Sequence, residues 1–202
     1  MFGKRVEAIS ITREVRKQED AYVPILEEVL DFFDTEMEEA YVQYLSTQPI
    51  SLEERQKAIT RLQELRKSAL SKELYTGVSS EPIFDQKDEK KIIGFNEKVE
   101  WGITYNTHGG SAVYHPDGLA GKIFSNLEIY YDPKLLEEIK RSFTRRAILL
   151  EIAKEEQYLK EASEHPEQAI VRYTHGEDRM LLREREHKLR LVTLEKLLRQ
   201  FE

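Results

Sequence analysis

Val99-Glu100-Trp101-Gly102-Ile103-Thr104-Tyr105, followed by Asn106-Thr107-His108-Gly109-Gly110, decides how this chain is read. In the first seven residues Val99, Trp101, Ile103 and Tyr105 alternate with polar or small residues, the period-two pattern of a strand with one buried face. The paired glycines then supply the positive φ values that a hairpin turn needs. Ser111 to His115 reads as a short return strand carrying Val113 and Tyr114. Pro116-Asp117-Gly118 makes a second turn, in which proline presets φ and glycine accepts the left-handed position. Leu119–Phe124 and Leu127–Tyr131 supply further strands, and Ile92-Ile93 an edge strand before Gly94. Connections this short favour an antiparallel meander over a parallel sheet.

Helical spacing governs the sequence on both sides of that meander. Residues 4–19 fit a helix through Val6, Ile9 and Val15, although residues 7–12 also alternate as a strand would. From Asp20, Tyr22, Leu26, Val29, Phe33, Ala40 and Tyr44 recur at three, four and seven, and Pro24 falls within the first turn, where proline does little harm. Ser51-Leu52-Glu53-Glu54 is a capping-box start for a second helix, with Ala58, Ile59, Leu62, Leu65, Ala69 and Leu70 on one face and Gly77 as its stop. The two helices form an antiparallel hairpin. Residues 78–91 are polar and read as an exposed linker into the sheet.

Asp132-Pro133 opens the next helix, aspartate as N-cap and proline at the first helical position. Its apolar face runs through Leu135, Leu136, Ile139, Phe143, Ala147, Leu150 and Ala153 to Leu159, and His165-Pro166 breaks it. A short helical turn is expected next, then a break at Thr174-His175-Gly176. A last helix covers about 177–201, with a heptad-like seam of His187, Leu191, Leu194, Leu198 and Phe201. The expected fold is therefore helix-rich α+β: an N-terminal helical hairpin (residues 1–77), a linker (78–91), a small central antiparallel meander (92–131) and two long C-terminal helices (132–202), in a single domain of 202 residues.

Hydrophobic residues at 40% and charged residues at 34% allow a core beneath a heavily charged surface. A net charge of −7 argues against a general nucleic-acid or membrane binder. Without cysteine there is no disulfide, thiolate zinc site or thiol nucleophile, which fits a cytoplasmic setting. The first residues are charged, and no apolar run reaches the length of about 20 that a membrane span needs.

Two groups of residues point to chemistry. His108, His115 and His175 sit at glycine turns, where imidazoles could act as general acid and base or meet carboxylates such as Asp117 or Glu177 around a metal. Their spacing matches no ligand motif, so no metal or other cofactor is assigned. Lys140, Arg141, Arg145 and Arg146 lie on one stretch of helix and could grip phosphates, although acidic neighbours answer most of the basic charge. Gly118-Leu119-Ala120-Gly121-Lys122 lacks the spacing of a phosphate loop. Neighbouring carboxylates such as Glu155-Glu156 read as solvated surface, as does the basic density around Arg183, Arg185 and Arg190.

The reading these features favour is a non-catalytic cytoplasmic interaction or regulatory protein with a protein partner, self-associating through amphipathic helices. One rival is a hydrolase or nuclease built on His108, His115 and His175. The other is a nucleic-acid-binding regulator using the Lys140, Arg141, Arg145 and Arg146 face.

Overall fold

A computed structural model describes residues 37–114, 132–165, 170–173 and 179–201. Helix α1 (37–47) is followed by α2 (Leu52–Ser68), strands β1 (Ser71–Phe84), β2 (Ile92–Thr107) and β3 (Gly110–Tyr114), and the long helix α3 (Pro133–Glu164). Strands β4 (Ile170–Tyr173) and β5 (Arg179–Leu182), helix α4 (Glu184–Leu198) and a final 3₁₀ turn (Arg199–Phe201) complete it. The architecture is α+β. Of the described residues, 77–99 and those from 140 onward form one compact unit, and 37–76, 100–114 and 132–139 form another. The expected strands across 119–131, the helix at 4–19 and the first part of the helix from Asp20 lie outside the described residues.

The capping box at Ser51 is present in full. Its hydroxyl accepts the Glu54 N–H at 3.2 Å, and the Glu54 carboxylate accepts the Ser51 N–H at 2.8 Å. Ser51→Ala leaves one of the first-turn donors without its acceptor, so helix α2 should lose about 1 kcal/mol, measured as a lower urea midpoint. Glu38 near the start of α1 accepts from Gln63 and from Arg66, both at 2.6 Å, near the end of α2. That pairing makes the two helices the antiparallel hairpin expected of them.

Helix α2 stops at Ser68, well short of Gly77. The Leu70 N–H leaves the helical pattern to donate to the Asn106 carbonyl at 2.7 Å, which starts the chain into the sheet and leaves the Leu70 side chain exposed. The linker reading of residues 78–91 therefore needs correction, because 71–84 form the 14-residue strand β1. Its polar residues mislead because one of them, Ser80, is buried and donates to the Glu97 carboxylate on β2 at 2.9 Å. Only the turn from Asp85 to Lys91 is a true connection, closed by the Asp85 N–H on the Lys91 carbonyl at 2.8 Å.

The three strands form an antiparallel sheet in the order β1-β2-β3. Thr107 pairs with Gly110, so His108 and Gly109 are the turn, and Gly110 carries the positive φ (134°) that the sequence reserves for glycine. The Thr107 hydroxyl accepts the Gly109 N–H and donates to the Gly110 carbonyl. Ile103 and Tyr105 are buried as their alternation requires, and the Tyr105 hydroxyl reaches the Met37 sulfur at 3.7 Å within the same unit.

Asp132 caps α3 through the Lys134 N–H at 3.0 Å. Between Phe143 and Leu149 the helix is buried on most sides, while Leu150, assigned to the apolar face, is 41% exposed. The segment after the His165-Pro166 break is not helical. Ile170–Tyr173 pairs antiparallel with Arg179–Leu182, with Ile170 opposite Leu182 and Tyr173 opposite Arg179. Four residues rich in β-branched and aromatic side chains suit a strand and are too few for a stable helix. The last helix accordingly begins at Glu184, not near 177, and the Glu186 carboxylate accepts the Arg183 N–H at 2.8 Å at its start. Its seam packs inward: Leu191, Leu194, Leu198 and Phe201 join a core with Ile148 and Ile152 of α3 and Val78 and Val99 of the strands.

Candidate functional site

The most concentrated chemistry among the described residues is buried within the unit formed by 77–99 and 140–201. Helical periodicity on α4 sets His187, Arg190 and Leu194 on one face, and on α3 it sets Glu151 and Glu155 one turn apart. Strand β2 adds Glu97 and β1 adds Ser80. The Arg190 side chain is 1% exposed and meets all of them.

Its Nε donates to Glu97 Oε1 at 2.9 Å and to the Ser80 hydroxyl at 3.2 Å. Nη2 donates to Glu151 Oε2 at 2.9 Å and to Glu97 Oε2 at 3.4 Å, and Nη1 donates to Glu155 Oε1. Ser80 acts both ways, accepting from Arg190 and donating to Glu97. The second Glu155 oxygen lies 2.7 Å from His187 Nδ1, and both side chains are fully buried. Lys154 approaches the other Glu151 oxygen at 2.5 Å from the solvent side. A planar guanidinium is the side chain that can serve this many oxygens at once.

A carboxylate on Nδ1 holds the His187 ring with Nε2 directed away from it, the arrangement that orients an imidazole base. Here Nε2 is buried without a hydrogen-bond partner among the described residues, and the Tyr158 ring lies 5.2 Å from the imidazole, centroid to centroid. The imidazole is therefore closed off from solvent. Burial raises the Glu97 carboxyl above the usual glutamate range, and the Arg190 charge and the Ser80 hydrogen bond oppose that rise without cancelling it.

Of the residues nominated from sequence, those that are described lie outside this cluster. His108 is exposed in the β2–β3 turn, and His115 and His175 lie outside the described residues. Among the described residues no group of three or more histidines and carboxylates is arranged to hold a metal ion. On α3, Arg141 donates to the Phe201 carbonyl at 2.8 Å, and the Arg146 guanidinium sits 5.9 Å over the Phe143 ring. Lys140 and Arg145 are half-buried, and Arg145 Nε is enclosed without a partner among the described residues.

The solvated-surface reading of Glu155 and Arg190 needs correction, because each is buried to 1% exposure or less. One signal was available. Ile148, Ile152, Glu155 and Leu159 continue a four-three-four stripe, so Glu155 stands where an apolar residue belongs. Arg190 likewise follows His187 by three along the seam of α4. A charge on the apolar face of each of two helices marks a pair that must meet inside. Among the described residues no helix is long and apolar enough to cross a membrane. No known protein family, characterised protein or solved structure matches this chain.

Proposed function

We propose that this is a non-catalytic interaction protein that pairs with a second copy of itself through the end of the β1–β2 hairpin, in a cytoplasmic setting that a chain without cysteine fits. The observation that carries it is the concentration of apolar side chains beside one turn. Ile83, Phe84 and Ile93 are 47%, 42% and 47% exposed and flank one turn, whereas the other exposed large apolar side chains among the described residues stand apart from one another in sequence. Ile83 lies close to Gly94, 3.8 Å from where a side chain at that position would begin. Leaving such groups in water forfeits the burial that drives association.

A second copy suits this end because its charges are self-complementary. The turn holds Asp85, Asp88 and Glu89 against Lys87, Lys90 and Lys91, so it carries no net charge. A twofold contact places the same surface on both sides, where single-sign charge would repel and mixed charge can pair across the axis. Sedimentation over a wide concentration range should show a reversible dimer, and a Phe84→Ser, Ile93→Ser double variant should be monomeric while keeping its helical circular dichroism. A wild-type chain that stays monomeric throughout overturns the proposal, as does a variant that dimerises as before.

A further inference from the structure

Ile83 and Phe84 are successive residues of β1, so their side chains leave the strand on opposite faces, and both are exposed. Ile93 adds a third exposed apolar group on β2, the neighbouring strand. A partner laid flat against the hairpin would cover one face and leave the other in water. A strand laid alongside β1 covers both, because its own side chains alternate and give each apolar group a cross-strand neighbour on its own face.

The edge that such a strand needs is present at this end. β1 stands first in the order β1-β2-β3, and β3 pairs with Ile103–Thr107 of β2, so among the described residues β1 has β2 alone beside it. An edge strand turns a row of N–H and C=O groups outward, ready to pair with another strand. Pro82 suits that position: it has no N–H, and within sheets proline is confined to edges, strand starts and bulges. The missing donor also limits the pairing to the few residues at the end of β1, which keeps the contact reversible. Charge permits two such ends to meet. Glu81 is answered by Lys98 on β2 at 3.9 Å, and the Asp85–Lys91 turn carries as many positive as negative charges.

We propose, resting on the self-pairing put forward above, that the two copies join edge to edge. β1 of one copy lies antiparallel to β1 of the other, and the two hairpins continue into one four-stranded sheet ordered β2-β1-β1-β2. The occupant of the edge is thus the same strand of a second copy. A twofold axis normal to the sheet reverses the strand direction, so both copies use the same residues and the pairing closes on itself. Ile83 and Phe84 lie near that axis, one on each face, where each copy covers the other.

Amide hydrogen exchange of the wild type, followed by NMR above and below the dissociation constant, tests this. Successive N–H groups of a strand point to opposite sides, so one of the Ile83 and Phe84 amides faces away from β2. Where dimer outnumbers monomer about tenfold, that amide should exchange about tenfold more slowly than in the monomer, since it opens only when the copies part. In sedimentation, Ile83→Ser and Phe84→Ser should each weaken the dimer by about tenfold or more, because the edge pairing buries both side chains. A dimer whose Ile83 and Phe84 amides both exchange at the monomer rate, or that only one of the two substitutions weakens, is a face-to-face contact. That result overturns the edge pairing and leaves self-pairing itself standing. A wild type that stays monomeric throughout overturns both.

Discussion

Arg190→Met should destabilise the unit that contains it by about 3–5 kcal/mol, the loss expected when one partner of a buried ion pair is removed. Methionine fills much of the arginine volume, so lost packing is the smaller part. The larger part is what remains behind: Glu155 at 0% and Glu97 at 1% side-chain exposure without the guanidinium they share, and Glu151 at 15% with Lys154 still beside it. Arg190→Lys should recover little of the loss. One ammonium cannot reach Glu97, Ser80, Glu151 and Glu155 together, as Nε, Nη1 and Nη2 do from one plane.

The same reasoning predicts that Arg190→Met is rescued by removing the stranded charges. Glu97→Gln, Glu155→Gln in the Arg190→Met background should unfold at higher urea than Arg190→Met alone, although each substitution weakens the wild type. If Arg190→Met costs less than about 1 kcal/mol, the value typical of an exposed pair, the cluster is solvated and its burial is not as described. Equilibrium urea unfolding followed by far-ultraviolet circular dichroism reads all of these.

How much of the structure is legible in the sequence depends on the range of each interaction. Local rules carried well: the Ser51–Glu54 box, the Asp132-Pro133 start and the Thr107–Gly110 turn are each set by residues within a few positions of one another. Non-local partners did not carry. Nothing near Ser80 says that it will meet Glu97 and Arg190, which lie 17 and 110 positions away. Without those partners the polar run looks like a linker. The strand at Ile170–Tyr173 was hidden for a similar reason, since its identity rests on pairing across a break. The candidate site was harder still. Charged residues on helices are ordinarily solvated, and Glu155 and Arg190 betray themselves only by standing on apolar stripes. Proximity to glycine singles out His108, His115 and His175, whereas His187, which meets a buried carboxylate, looks in sequence like part of a hydrophobic seam.

That seam carries the other large effect. Leu194→Ala should cost about 2–5 kcal/mol, because Leu194 is fully buried against Ile148 and Ile152 and truncation removes its contacts while leaving a cavity the helices cannot fully close. Val192, two residues away on the same helix, is 49% exposed, and Val192→Ala should change stability by no more than about 0.5 kcal/mol. The pair separates two roles for the heptad-like spacing of α4. If the seam packs within the chain, Leu194→Ala lowers the urea midpoint of the monomer at any protein concentration. If it were instead a coiled-coil contact between copies, the loss would shrink on dilution below the dissociation constant, because the separated chains would no longer bury Leu194. A concentration-independent loss, alongside an unchanged association constant, keeps the seam in the core and is what the proposed pairing at the hairpin end requires, where Ile83 and Phe84 stand on opposite faces of β1.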